Sequence, residues 1–174
     1  WYAEEERQTE LYEALLDAGQ DLGVRPVGSR SLLSLRVEKG YGSWGREYSP
    51  EYWPQEVGLD KLIKVDKPEF AGRDAYLELA DKAPREQLVM FEIKANGADA
   101  VGGEPVFTLA GKAAGRITSG TYGHSVGKTL GLAMVKTECL EADSEFDVAV
   151  LGQPHRAKLL KQPPFDPKGQ RLRG

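Results

Sequence analysis

The spacing of apolar positions changes character near the middle of this chain. From Glu4 to Leu22 they recur at helical intervals. Leu11, Leu15, Leu16 and Leu22 fall near one face, and Glu5, Arg7, Glu10 and Glu13 cover the other. The acidic residues crowd the first turns, where the positive end of a helix dipole favours them. Gly23 predicts the stop. Arg25-Pro26-Val27-Gly28 turns the chain, and Ser29 or Ser31 can cap a second helix running through Lys39. Its apolar set is Leu32, Leu33, Leu35 and Val37, and Gly40 ends it. Leu59 to Val65 reads as a short strand with lysines between its apolar positions. Pro68 opens another helical stretch, EFAGRDAYLELADKA, which Pro84 stops.

Beyond a boundary at Lys82 to Arg85, the period becomes two. Val89, Phe91 and Ile93 alternate with Met90, Glu92 and Lys94. Leu130, Leu132 and Met134 alternate with Gly131, Ala133 and Val135, and Phe146, Val148 and Val150 with Asp147 and Ala149. The stretches NGADAVGGEP, LAGKAAG and TSGTYGHSVG read as glycine-rich turns between these runs. Short strands at close spacing predict a small barrel or sandwich, completed by a last strand at RAKLLK. The Pro- and Lys-rich tail PPFDPKGQRLRG reads as a solvated, partly ordered terminus.

Between the second helix and the predicted strand lies a loop carrying Tyr41, Trp44, Tyr48, Tyr52 and Trp53. Flat side chains in a polar loop can sandwich a planar ligand, because they bury large area in a defined geometry. They can equally pin a loop over a core. Glu38 and Glu56 flank this loop. A carboxylate accepts paired hydrogen bonds from an amino-pyrimidine-like ring, although Arg36 and Lys39 offer salt-bridge partners nearby.

Composition narrows the function classes. The chain has 174 residues, enough for one domain or two small ones. A net charge of −4 without a large basic block argues against nucleic acid as a partner. The longest apolar run, LGLAMV, is far short of a bilayer span, so no membrane role is expected. The one cysteine, Cys139, cannot form an internal disulfide and reads as a small apolar filler in a reducing compartment: the cytoplasm, or the mitochondrial matrix in a eukaryote. With no initiating methionine and Trp1-Tyr2 leading straight into a helix, the sequence reads as a fragment of a longer polypeptide.

Three catalytic motifs fail on spacing. Gly127-Lys128-Thr129 lacks the earlier glycine a phosphate loop needs, that position being Tyr122, and reads as a hairpin turn. His124 and Ser125 are adjacent, so in extended backbone they face opposite ways and make a poor nucleophile and base. There is no Cys/His cluster for a metal. Lys158, Lys161, Lys168, Arg171 and Arg173 read as a solvated face.

Longer patterns carry a resemblance. Ser34-Leu35-Arg36-Val37-Glu38-Lys39-Gly40-Tyr41, Trp44-Gly45, Pro54-x-Glu56-x-Gly58-Leu59 and Asp66-Lys67-x-x-Phe70-x-Gly72-Arg73 occur in order. They are followed by Gly103-Glu104-Pro105-Val106, Gly115-Arg116-Ile117-Thr118-Ser119-Gly120, Tyr122 to Lys128, and Phe165-Asp166-Pro167. Together they resemble the glycine-cleavage T-protein (aminomethyltransferase) family, and more closely the folate-binding C-terminal region of dimethylglycine and sarcosine dehydrogenases. The resemblance implies an α+β fold. Residues 1–83 would be part of a folate-binding, aminomethyltransferase-like domain, and residues 84–174 a small antiparallel β-barrel with its tail. It implies transfer of a one-carbon unit to tetrahydrofolate, with FAD only in an upstream flavin domain of the same polypeptide.

By that resemblance Arg36, Tyr41, Trp44 and Glu56 shape the folate side of the site. The catalytic aspartate and a pterin-holding glutamate lie upstream, so no catalytic residue is expected here and the piece alone should be inactive. The sequence departs from the T-protein pattern in two places. Ser31 or Leu32 stands where that family carries an arginine, and about Leu151 stands at a second. Both favour the dehydrogenase-like branch over the glycine-cleavage T-protein itself. Tyr41 stands where related iron–sulphur assembly proteins carry cysteine. A structural module that closes the folate tunnel without taking part in the chemistry is the second expectation.

Overall fold

The computed structural model describes residues 4–95, 97–142 and 144–174, the side chains of 141 and 142 excepted. The described residues form two compact units, divided between Leu32 and Leu33.

In the first unit, helix α1 (Gln8–Gly19) is flanked by single 3-10 turns at Glu5–Arg7 and Gln20–Leu22. It stops as the sequence predicts, with Gly23 in the left-handed region at φ 69°. The chain folds back there, and the Val24 amide donates to the Gly19 carbonyl at 3.1 Å. The predicted apolar face is not covered: Leu15 and Leu22 stay exposed. Helix α2 (Ser29–Glu38) begins at the end of this unit and runs into the second.

The second unit is built on six strands: β1 (Glu86–Ile93), β2 (Pro105–Thr108), β3 (Ala113–Gly123), β4 (Lys128–Lys136), β5 (Glu145–Val150) and β6 (Gln153–Leu160). Paired in the order β1-β4-β3-β2-β5-β6, they close into an antiparallel barrel. Closure comes from β6 lying against β1, with Met90 opposite Leu160 and Ile93 opposite Ala157. Inward-facing Phe91, Ile93, Val106, Ile117, Val135, Phe146 and Val148 fill the interior. At its centre the Phe91 and Phe146 rings sit 5.3 Å apart and tilted. Cys139 joins this core as a small apolar side chain. Among the described residues no helix is long and apolar enough to cross a membrane.

Three expectations are corrected. The alternation read in LGLAMV is not inside-against-solvent, because seven consecutive residues of β4 are buried. Ala133 and Val135 face the barrel interior, while Leu130 and Leu132 pack outside it against Val37 of α2 and Met90. A strand covered on both faces becomes continuously apolar. Secondly, LAGKAAG and TSGTYGHSVG are only partly turns, because β3 runs through both. Its glycines answer a packing need: a Cβ at Gly115 would lie 2.1 Å from the Met134 carbonyl oxygen, and one at Gly120 would lie 2.3 Å from that of Ala100. Thirdly, Leu59 to Val65 is not a strand. Leu59 and Leu62 are one 3-10 turn apart, in the turn Asp60–Leu62, and the Leu62 amide donates to the Leu59 carbonyl.

The helix after Pro68 is shorter than predicted. Helix α3 (Arg73–Ala80) starts only after Gly72, whose φ of 85° breaks the backbone between Pro68 and Arg73. The connection from β3 to β4 is a hairpin whose turn spans 124–127, with Gly127 at φ 67°; of the predicted turn residues, Lys128 and Thr129 already belong to β4. Two short helices remain, α4 (Thr137–Ala142) after β4 and α5 (Gln170–Arg173) near the C-terminus.

Candidate functional site

Residues 41–53 form an irregular loop fixed from two ends. At the first end, α2 stops at Gly40, which turns at φ 71° with a Cβ position blocked by the Pro163 ring at 2.8 Å. Just beyond, Glu47 is driven fully inward. One of its carboxylate oxygens accepts from Ser119 Oγ at 2.6 Å; the other accepts from the Ser43 amide at 2.8 Å and from Arg36 Nη1 at 3.3 Å. Burial alone would raise the Glu47 pKa, but hydrogen bonds from Ser119 and Ser43, and the Arg36 charge, outweigh it and hold the carboxyl below its usual range. Arg36 closes a ring by donating to Ser119 Oγ at 2.7 Å and also donates to the Tyr41 carbonyl at 3.1 Å.

At the second end, Glu56 caps its own 3-10 turn (Pro54–Glu56), accepting from the Trp53 amide at 2.8 Å. Arg85 binds both its carboxylate oxygens, each at 2.9 Å, and adds its own backbone amide at 3.0 Å. Desolvation pushes the Glu56 carboxyl up, yet the Arg85 hydrogen bonds and charge and the Trp53 amide bring it down to about 2. Between the two ends, the Tyr52 hydroxyl accepts from Arg116 on β3, and the Tyr48 hydroxyl accepts from the Gly42 amide at 3.2 Å.

Beside this loop opens a cleft of about 910 Å³. Tyr41 and Tyr48 stand on one wall with Lys39, and Val57 to Leu59 on another. The outer face of the barrel, at Leu88, Met90, Leu132 and Leu160, makes an apolar floor. The C-terminal segment closes the remaining side and corrects its reading as a solvated tail. Lys39 Nζ pairs with the Asp166 carboxylate at 3.0 Å, and the Phe165 amide donates to the Glu38 carbonyl at 3.4 Å. Lys61, Lys161, Lys168 and Arg173 rim the opening, so three of the cations expected on a solvated face line a concavity instead.

Of the four residues singled out as folate-side, Tyr41 alone lines this cleft, with 47% of its surface exposed. Trp44, at the tip of the loop, is 84% exposed and lies outside the cleft lining. Arg36 is 13% exposed at its side chain and directs Nη1 at Tyr41 and Glu47 and Nη2 at Ser119, while its buried Nε has no partner. Glu56 has a fully buried side chain committed to Arg85 and Trp53. Glu38 is also buried; one carboxylate oxygen accepts from the Ser125 amide and the other has no hydrogen-bond partner. Glu47 was not legible as a site residue. Its only sequence signal is a charged residue in a loop where turns and aromatics surround it. Among the described residues no group of His, Cys, Asp and Glu could hold a metal ion.

The architecture is thus a closed antiparallel barrel with a doubly anchored aromatic loop beside a cleft. The chain belongs to the glycine cleavage T-protein family. Residues 1–67 match the GCVT N-terminal domain and residues 86–166 the glycine cleavage T-protein C-terminal barrel domain. Over 174 residues it is 37% identical to the 4-methylaminobutanoate oxidase (formaldehyde-forming) of Paenarthrobacter nicotinovorans, covering 99% of this chain and 21% of that protein. It is 34% identical to the mitochondrial dimethylglycine dehydrogenase of Rattus norvegicus, covering 93% of this chain and 19% of that protein. The fold is that of the glycine cleavage system aminomethyltransferase T from Bartonella henselae, with a TM-score of 0.79 at 24% identity, covering 92% of this chain and 44% of that one. The chain thus spans about a fifth of the length of its oxidase and dehydrogenase relatives.

Proposed function

We propose that this chain supplies the tetrahydrofolate side of an enzyme that transfers a one-carbon unit from an N-methylated amine to folate, as in the dehydrogenase-like branch of the family. The observation that carries it is Tyr41, half exposed on the wall of an apolar-floored cleft rimmed by lysines. Such a site suits a planar ring system with an anionic tail: the ring lies against Tyr41 and the apolar floor, and the carboxylates meet the cations. The divide proposed at 83–84 falls just before β1 opens at Glu86. Tyr41 makes the direct contact. Trp44 contributes from the loop tip, and Arg36 and Glu56 act by holding the loop from inside.

In this reading the chain contributes binding and positioning, and the reacting carboxylate belongs to the upstream part of the polypeptide. FAD belongs to a flavin domain there, the parent's partner in the oxidation. A eukaryotic parent would work in the mitochondrial matrix; the name of the rat relative places that protein in the mitochondrion. Calorimetric titration with folinic acid tests the reading. Saturable binding, weakened at least tenfold by Tyr41→Ala, supports it. Absence of binding at millimolar ligand, to this chain and to its full-length parent alike, overturns it.

A further inference from the structure

We infer that Glu47 is a positioning residue, whose buried carboxylate holds residues 41–48 in the shape that keeps Tyr41 on the cleft wall. The inference rests on the reading of Tyr41 as a ligand contact. Glu47 touches nothing in the cleft. It acts through two partners instead.

The first partner is Arg36. The same guanidinium nitrogen, Nη1, reaches Glu47 at 3.3 Å and the Tyr41 carbonyl at 3.1 Å, so the carboxylate fixes the arginine and the arginine fixes the backbone of Tyr41. The second is the Ser43 amide, which donates to the Glu47 oxygen that also meets Arg36. The frame against which both are set is the barrel. Ser119 sits where β3 shifts register between Ile117 and Ser119, and the residue is 1% exposed. That hydroxyl accepts from Arg36 Nη2 and donates to Glu47 Oε1, completing a three-membered ring of hydrogen bonds. A bulge of this kind re-aims a side chain out of the regular ladder, here toward the loop rather than into the barrel.

The ring needs a carboxylate at position 47. Oε1 must accept from a hydroxyl, and Oε2 must accept from both an amide and a guanidinium. A glutamine amide turns one acceptor into a donor. Flipped one way, its N–H meets the donors of the Ser43 amide and Arg36; flipped the other way, it turns the Ser119 hydroxyl into an acceptor of two bonds and leaves that hydroxyl's own proton without Glu47 to receive it. It also leaves the Arg36 charge without its counter-ion in a buried site.

Glu47→Gln therefore loosens the loop before it harms the barrel. Hydrogen–deuterium exchange resolves the two. The expected result is exchange of the amides of 41–48 about tenfold faster, unchanged exchange in β4, and a Kd for folinic acid raised about tenfold. Ser119→Ala, which keeps the charge pair, gives the same pattern at about threefold. It decides the matter should Glu47→Gln fail to fold. Tyr41→Ala weakens folinic acid while leaving the Ser43 amide protected. Unchanged exchange over 41–48 overturns the inference, and so does a rise in β4 of the same size. Should the wild-type chain and its parent not bind folinic acid, the folate reading falls while the exchange data still decide the role of Glu47.

Discussion

The guanidinium of Arg85 lies over the indole of Trp53, 4.4 Å from the ring centroid, while its Nε and Nη2 each donate to one oxygen of the Glu56 carboxylate. One side chain thereby couples the end of the aromatic loop to the first residue before the barrel. The stacked, bidentate geometry is one that only arginine supplies.

Arg85→Lys is therefore not conservative. It keeps the charge but loses the fork and the stacking, and should cost about 1–2 kcal/mol. Glu56→Ala should cost more, about 2–4 kcal/mol, because it strands the Trp53 and Arg85 amides as well as the guanidinium. Urea unfolding with the slope held constant checks both. Equal and negligible costs would show that the contact is ornamental.

Acid should unfold this protein from a definite window. Glu56 is lowered from 4.5 to about 2, and Glu47 is lowered too. Groups with depressed folded-state values stabilise fully above their unfolded values and lose that contribution as pH falls. The urea midpoint should stay level above pH about 5 and fall progressively from about 4.5 towards 2. Glu56→Gln should lower the plateau and flatten the slope in that window. A wild-type curve that stays flat down to pH 3 would rule out the coupling.

Phe146 is fully buried against Phe91 at the barrel centre. Phe146→Ala should cost about 3–5 kcal/mol and Phe146→Leu about 1–2 kcal/mol, read from thermal or urea midpoints.

Glycines in β3 and in the β5–β6 turn should respond differently to alanine. At Gly115 the new methyl meets the Met134 carbonyl oxygen at 2.1 Å, so the strands must separate; at Gly152 nothing lies within 4 Å and only the φ of 75° resists. Gly152→Ala should cost about 1 kcal/mol. Gly115→Ala should cost at least about 3 kcal/mol. Similar costs at the two sites would contradict the packing role given to Gly115.

Much of the fold was legible because it depends on local signals. Periodicity placed α1, α2, β1 and β5, and the glycine stops at Gly23 and Gly40 carry the positive φ the reading requires. β3 was hidden because Gly115 and Gly120 serve neighbours distant in sequence, and a glycine needed for close approach looks the same as one needed for a turn. The four residues drawn from the resemblance lie on or beside the loop, but their directions were not legible. Arg36 and Glu56 point inward because Glu47 and Arg85 are there to meet them, and those pairings span 11 and 29 residues. The missing signal is the partner, not the residue.

Because β6 alone seals the cylinder against β1, the ribosome must deliver Leu160 before the first strand has both its neighbours. Until then two unpaired borders face outward, each a template for a neighbouring copy. Nascent chains stalled before Gln153 should thus be the aggregating species, and a molecular chaperone would find its task concentrated in the interval before Leu160 emerges.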